Sequence, residues 1–288
     1  MNHVILDESG GRMSDNDPLT RVFAIGDRYV LRIRAEFYER WQKWPIDLAE
    51  TEKHEVVGGL LARLVTLATQ LASVPPVWNG HVAPLILRSM TDAYITLAWI
   101  FGDPVVRARR FIEYGLGQEK LQIELLRESI ADEDDVPTRR LIEARESWVN
   151  SQQYLFLTEV NVGSWSGSDT RTMAAEAECL DLYRYAYTPF SSAVHNMWNH
   201  IGKYNLTHCT NPLHKYHRIP IDPDLGIEPD YLYRAAKYVQ KGFDLFDEKT
   251  GVSVDSTSAL RLLVAELNDF KQSIRQNEKD TPDMRDTS

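Results

Sequence analysis

An arginine and an aspartate stand one helical turn apart in a strongly apolar segment. Arg88 and Asp92 lie within residues 85–100, where most other side chains are apolar, so a helix here would be largely buried. Buried charges need partners, and residues four apart on a helix can pair. The two residues form either a structural ion pair that fixes helix packing or part of a site floor, where Arg88 holds an anion beside Asp92.

A second segment carries polar and aromatic side chains at intervals of four. These residues are Tyr183, Tyr187, Ser191 and His195, with Asn199 one turn further on. On one continuous helix they form a slowly winding stripe. Such a stripe indicates either a hydrogen-bonded seam in the core or the wall of a cleft. Histidine changes charge near neutral pH, so His195 is the candidate for proton transfer.

Histidines concentrate between residues 195 and 217, where five of the eight are found. Within this segment the spacing Cys209-x4-His214-x2-His217 contains thiolate and imidazole ligands that suit zinc. The two histidines would share a face if Asn211-Pro212 began a short helix. A second Cys/His pair with zinc-site spacing is missing, so the sequence predicts no metal and no cofactor. These three residues stay the candidates should a metal bind; otherwise their side chains make hydrogen bonds or line a pocket.

The elements that would position these residues are helices. Apolar residues recur at three-and-four spacing over 57–71 and 260–270, and period-two alternation is not sustained anywhere. The pairs Asp17-Pro18 and Asp103-Pro104 each predict the start of a helix. We therefore predict an all-α bundle of about eight helices with no sheet, in a single domain over residues 18–275. The polar stripe lies on a helix over about 170–204 that Pro189 kinks or splits. Residues 1–17 and 276–288 are expected to be disordered tails.

The composition excludes several classes of protein. The chain has 288 residues, 43% apolar and 26% charged, which is typical of a soluble globular protein. Its net charge of -10 and the lack of a Lys/Arg stripe argue against a generic polyanion binder, although folding could still form a local basic pocket. The most apolar run, residues 94–101, is far shorter than the roughly 20 residues of a membrane-spanning helix. Two cysteines cannot form a disulfide framework, so we expect a cytoplasmic protein without membrane association.

Three motifs together resemble an uncharacterised bacterial family of all-helical domains of unknown function, over roughly residues 50–220. They are Arg88-Ser89-x-x-Asp92, Trp165-x-Gly167-x-x-x-Arg171 and Tyr183-x-x-x-Tyr187-x-x-x-Ser191-x-x-x-His195. Members of that family tend to have glutamate where this chain has Asp92, so the acidic side chain is shorter in this chain. The resemblance implies that Arg88, Asp92, Tyr187, Ser191 and His195 are pocket residues.

A looser similarity is to the helical HEPN superfamily, whose active members are often metal-independent RNases of toxin and phage-defence systems. Their catalytic arginine precedes a histidine by four to six residues on one helix. That pattern is missing, because ten residues separate the nearest pair, Arg184 and His195. An HEPN-like fold would need a composite site built from Arg88 and His195, or it would be a non-catalytic relative.

These observations predict a pocket in which Arg88 holds an anionic group while His195 moves a proton. The predicted substrate is a nucleotide or RNA phosphate, in a defence or toxin-like role, bound by Tyr183, Tyr187, Ser191 and Asn199. A non-catalytic module that binds a small ligand and an oligomeric scaffold with a satisfied polar network are the alternatives, and the sequence leaves open whether the protein is an enzyme. A homodimer is the expected assembly.

Overall fold

A computed structural model describes residues 17–130, 135–152 and 165–280, and most of these residues are helical. The helices are α1 (Pro18–Lys43), α2 (Thr51–Ala72), α3 (Ala83–Ile100), α4 (Pro104–Ser129), α5 (Val136–Asn150), α6 (Thr170–Glu176), α7 (Leu180–Leu182), α8 (Thr188–Val194), α9 (Trp198–Tyr204), α10 (Asp230–Thr250) and α11 (Ala259–Asp280). A 3-10 turn spans Pro75–Val77 and a π-helical turn spans Tyr183–Tyr187. Two short strands, β1 (Leu206–His208) and β2 (Arg218–Pro220), form an antiparallel hairpin.

The predicted α-helical class is confirmed, since 73% of the described residues are helical. Two finer parts of the prediction are wrong: the described residues include a sheet, and they form more than eight helices. The strands are three residues long, too short to show the alternation by which a strand is recognised. The additional helices arise where the predicted helix over 170–204 is broken into short pieces.

The helix starts predicted at Asp17-Pro18 and Asp103-Pro104 are both confirmed, although the side chain caps the helix only at Asp17. The Asp17 side chain accepts a hydrogen bond from the backbone N–H of Thr20 at 2.9 Å, and Pro18 occupies the first turn of α1. The last helix departs from prediction at its end. It continues to Asp280 rather than ending near 275, because the polar residues there are compatible with a helix. Residues 1–16 and 281–288 of the predicted tails lie outside the described residues.

The described chain divides into two compact units. The first unit comprises residues 17–44, 61–94 and 184–280, and its core includes the fully buried Tyr29, Trp78 and Phe243. In this unit α11 packs against α1 and α10. Gly26 of α1 lies so close to the Ala72 carbonyl that a Cβ there would overlap its oxygen. The absence of a side chain therefore allows this close approach of two backbones.

The second unit comprises residues 45–60, 95–130, 135–152 and 165–183. Its helices α4 and α5 pack through a cluster that includes Ile123, Ile142 and Val149. The Trp165 ring lies 5.3 Å from that of Trp99 and anchors the segment before α6. Both α2 and α3 contribute residues to each unit, and the single domain over 18–275 stays a prediction.

Among the described residues, α2 is the one helix whose length and composition would suit a membrane span. However, 61% of its most apolar window is buried inside the fold, as is usual for a core helix of a soluble protein. The absence of membrane association stays a prediction.

Candidate functional site

Arg88 is the centre of a cluster that joins α3 to α8. Its Nε donates a hydrogen bond to Ser191 Oγ at 2.9 Å, and its Cζ lies 3.2 Å from the centroid of the Tyr187 ring. Its Nη1 is 3.6 Å from a carboxylate oxygen of Asp92. The structure thus brings together four of the residues that the sequence predicted to share a pocket. We refer to these four residues as the Arg88 cluster.

The chain reaches this arrangement through the π-helical turn that precedes α8. Pro189, in the first turn of α8, has no N–H to continue the hydrogen-bond ladder, and the wider turn before it accommodates that loss. Ser191 Oγ donates to the carbonyl of Tyr187 at 2.8 Å, which leaves a lone pair to accept from Arg88. Ser191 therefore fixes the position of the Arg88 guanidinium over the Tyr187 ring.

The predicted helix over 170–204, kinked or split at Pro189, is wrong in where it breaks. Glu178 and Asn196 have positive φ angles of 55° and 50°, and each interrupts the helix. The break at Asn196 places Asn199 on a separate helix, so the residues spaced by four do not all lie on one helix. Tyr183 begins the π-helical turn and is half-buried.

His195 lies where α8 ends, and its side chain is exposed. The backbone N–H of His195 donates to the Ser191 carbonyl at 3.0 Å, but its side chain makes no hydrogen bond, ion pair or ring contact with the described residues. Asn199 lies on α9 and donates to Ser192 Oγ at 2.9 Å rather than contacting the Arg88 cluster. The roles predicted for these two residues stay predictions.

The predicted Arg88–Asp92 ion pair is confirmed, in a partly solvated environment. The Arg88 side chain is 14% exposed and that of Asp92 is 51% exposed. Partial burial raises the pKa of Asp92, and the nearby Arg88 opposes that rise. Arg88 Nη2 has no hydrogen-bond partner among the described residues, so one edge of the guanidinium can still receive an anion.

A cavity of about 270 Å³ lies beside α8 and the start of α3, and none of the four residues of the Arg88 cluster is on its wall. Pro84, on its wall, lies one turn before Arg88 on α3, and Ser192 of the wall follows Ser191 on α8. We call it the α9 cavity, because α9 supplies much of its wall. It is lined by Gly80, Pro84, Pro189, Phe190, Ser192, Ala193, Asn199, His200, Lys203, Tyr204 and Tyr231.

Two histidines and a tyrosine form a compact aromatic group at this cavity. The His200 ring centroid lies 5.6 Å from that of His81 and 4.9 Å from that of Tyr204. Burial lowers the pKa of His200, and the neighbouring His81 and Lys203 lower it further. His200 is therefore a neutral imidazole at pH 7 and can accept a proton.

A lysine and two tyrosines complete the polar part of the wall. Lys203 Nζ lies 4.7 Å from the Tyr204 ring centroid, and hydrogen bonding to Tyr204 raises the pKa of Lys203. Burial raises the pKa of Tyr231, so its phenol stays neutral. A Cβ on Gly80 would lie 2.6 Å from atoms of the Tyr204 ring. The glycine therefore allows that ring to lie directly against the backbone.

Sequence reasoning did not place His81, Lys203 and Tyr204 in a site. A signal existed for α9, because His200 and Tyr204 are four apart and share a helix face. His81 and Tyr231 come from distant segments, and no local spacing joins them to α9.

The predicted metal candidates lie together in the loop of the β1–β2 hairpin. The ligand atoms of Cys209, His214 and His217 all lie within 4.8 Å of one another. The short helix suggested by Asn211-Pro212 does not form; consecutive turns occupy the loop instead. The histidines are thus brought together by turns rather than by a shared helix face.

The model of a family of unknown function, DUF5677, matches residues 54–211, which is more than half of the chain. The chain belongs to the DUF5677 family. The DUF5677 segment contains the whole Arg88 cluster and every lining residue of the α9 cavity except Tyr231. No curated protein and no solved structure matches the chain. The predicted resemblance to a family of unknown function is confirmed, whereas the bacterial origin and the similarity to HEPN proteins stay predictions.

Proposed function

We propose that the protein binds a small phosphate-bearing molecule, of the nucleotide or RNA class, in the α9 cavity. The observation that carries this proposal is the combination of a charged lysine, a neutral imidazole and two tyrosines around one small cavity. Lys203 would hold the phosphate, and the Tyr204 ring offers a face on which a base can stack.

The charge distribution supports a local anion site. The chain has a net charge of -10, so an anion is repelled by the molecule in general and needs a local cation. Lys203 supplies one on the cavity wall. Arg88 is not on the wall, although Ser191, which accepts its hydrogen bond, directly precedes the wall residue Ser192. Binding would therefore weaken with added salt, as expected for phosphate recognition.

His200 is the residue best suited to move a proton at this cavity. Its lowered pKa keeps the imidazole neutral near pH 7, and the ring lies on the wall where a ligand would bind. We propose His200 for the role that the sequence analysis gave to His195, which is exposed at the end of α8.

A non-catalytic binding module is the second candidate, favoured by the small volume of the cavity. A defence or toxin-like role in a bacterial cytoplasm, and a homodimer, stay part of the proposal.

Calorimetric titration with inorganic phosphate, nucleoside mono-, di- and triphosphates and a short RNA tests the binding. We expect Lys203→Gln to weaken binding by roughly 10- to 100-fold, because a charge-assisted hydrogen bond is lost. Lys271→Gln, at an exposed lysine of α11 outside the cavity wall, should leave the affinity unchanged. Equal affinities in the two variants, or no binding by the unaltered protein, would refute the proposal.

Product formation from the same ligands separates catalysis from binding. If the cavity is catalytic, His200→Gln should abolish turnover while binding persists, and His195→Gln should retain it. The opposite result would return the proton-transfer role to His195. Binding by the unaltered protein without any product would establish the non-catalytic module.

A further inference from the structure

The loop between β1 and β2 holds three side chains that are typical metal ligands. Cys209 follows β1, and His214 and His217 lie between Cys209 and β2. Only Cys209 lies within the segment matched by the DUF5677 family, so this feature lies largely in a part of the chain beyond it. The loop is also separate from the residues that line the α9 cavity.

The ligand atoms are nearly at the spacing of a tetrahedral zinc site. Zinc binds sulfur and imidazole nitrogen at about 2.0–2.3 Å, which places neighbouring tetrahedral ligands roughly 3.3–3.8 Å apart. Cys209 Sγ lies 3.7 Å from His214 Nδ1, and all three ligand atoms lie within 4.8 Å of one another. Small side-chain rotations are enough to bring the third ligand, His217, to the ligand spacing of a tetrahedral zinc site.

The backbone holds the two ends of this loop together, and a neighbouring amide contacts one of the ligands. The N–H of Cys209 donates to the carbonyl of His217 at 3.0 Å, which joins the two ends of the loop. Asn211 Nδ2 lies 3.3 Å from His214 Nε2, the ring nitrogen that points away from Cys209. The Asn211 amide nitrogen can only donate a hydrogen bond, so this contact positions the metal-free ring; once Nδ1 binds a metal, Nε2 carries the proton and donates to water instead.

Apolar packing does not account for the order of this loop. Leu213 is 89% exposed and Tyr216 is 86% exposed. The strands that carry the loop have three residues each, and a two-stranded hairpin is only marginally stable alone. Arg218 Nη1 donates to the Gly202 carbonyl at 3.0 Å, but that contact holds the base of the hairpin rather than its tip. Small elements without a core are commonly stabilised by a bound metal.

We propose that Cys209, His214 and His217 bind one zinc ion that closes the tip of the hairpin. Binding releases the thiol proton of Cys209 to solvent, and a water molecule completes the tetrahedron as the fourth ligand. A thiolate with two imidazoles favours zinc over the oxygen-seeking magnesium and calcium. The ion orders the loop that follows α9 and is independent of the phosphate-binding proposal.

Titration of the full-length, chelator-treated and reduced protein with cobalt(II) and zinc tests this site. We expect one equivalent of cobalt to bind, with a thiolate-to-cobalt charge-transfer band and the intense ligand-field bands of tetrahedral cobalt. Zinc should displace the cobalt and slow tryptic cleavage after Lys215, in the loop, by roughly tenfold or more. Absence of stoichiometric binding, or cobalt bound without the charge-transfer band, would overturn the proposal.

Matched variants assign the ligands. Cys209→Ser should abolish the charge-transfer band, and His214→Gln and His217→Gln should each weaken zinc binding by at least about 100-fold. Cys179→Ser and His208→Gln, which remove a cysteine and a histidine outside the set, should bind zinc like the unaltered protein. A band that survives Cys209→Ser, or is lost in Cys179→Ser, would refute the assignment. Helical content measured by circular dichroism should be the same in all variants, because the hairpin is not part of a helix.

Discussion

Arg40 and Arg88 belong to the same unit and share several features, but their surroundings differ in one respect. Each lies over an aromatic ring, and each has a carboxylate one helical turn away. Arg40 uses all three of its side-chain nitrogens: Nε and Nη2 donate to Asp247, and Nη1 donates to Glu36. Arg88 donates to one neutral hydroxyl and lies 3.6 Å from one carboxylate.

This difference separates a structural arginine from one that can receive a ligand. Glu36 also accepts a hydrogen bond from the backbone N–H of Ala259, so the Arg40 group ties α1 to the start of α11. Both arginines are mostly buried, with side chains 7% and 14% exposed, so burial alone does not distinguish them. What distinguishes Arg40 from Arg88 is the number of guanidinium nitrogens that have no hydrogen-bond partner.

The largest effect is expected from Arg40→Ala. The substitution leaves Glu36 buried without its cation, and breaking a buried pair in this way costs about 3–5 kcal/mol. Urea denaturation followed by circular dichroism would measure the loss. Arg28→Ala is the matched control, since Arg28 pairs with Glu266 at the surface and should cost less than about 1 kcal/mol. Similar losses in the two variants would contradict the structural role of Arg40.

A smaller and pH-dependent effect is expected from Glu36→Gln. Burial raises the pKa of Glu36 above its ordinary value of 4.5, although the Ala259 N–H and Arg40 oppose the rise. A raised pKa in the folded state means that the protonated carboxyl favours folding. That contribution is complete below about pH 4.5 and is lost as the pH rises through the folded-state pKa.

The measurement for Glu36 is the free energy of unfolding of both proteins between about pH 4 and pH 7. The stability of the unaltered protein relative to Glu36→Gln should fall as the pH increases. A relative stability that rises with pH would instead indicate a lowered pKa and would contradict the dominance of burial.

The smallest change in stability is expected from substitutions at Arg88. Arg88→Ala removes one hydrogen bond and the contact with Tyr187, and should cost about 1–2 kcal/mol. Asp92→Asn keeps the shape of the side chain and should cost less, because Asp92 is half exposed. Urea denaturation measures both, and phosphate titration should show weaker binding only for Arg88→Ala. A loss at Arg88 as large as that at Arg40 would remove the distinction drawn between them.

The sequence predicted those parts of the structure that depend on neighbouring residues. The start of α1 at Asp17-Pro18 and the Arg88–Asp92 pair follow from spacings of a few residues. The breaks at Glu178 and Asn196 were not predictable in this way, because neither residue is a glycine and each adopts a positive φ. For the same reason the helix over 170–204 was predicted to be kinked or split only at Pro189.

The candidate site was predicted only in part because its members come from distant segments. Arg88 and Ser191 were both named from their own helices, although 103 residues separate them and only the fold reveals their hydrogen bond. The group formed by His81, His200 and Tyr204 has no local pattern that includes His81. Tertiary packing, rather than sequence spacing, creates the α9 cavity.

The contact between Gly80 and the Tyr204 ring has an evolutionary consequence. Both positions lie within the segment that defines DUF5677, and the ring occupies the space where any other residue at position 80 would place its Cβ. Relatives that acquire a side chain at position 80 should therefore have a smaller residue at position 204, so that the two positions covary. Pairs of this kind in an alignment would divide the family into subgroups that select ligands of different size.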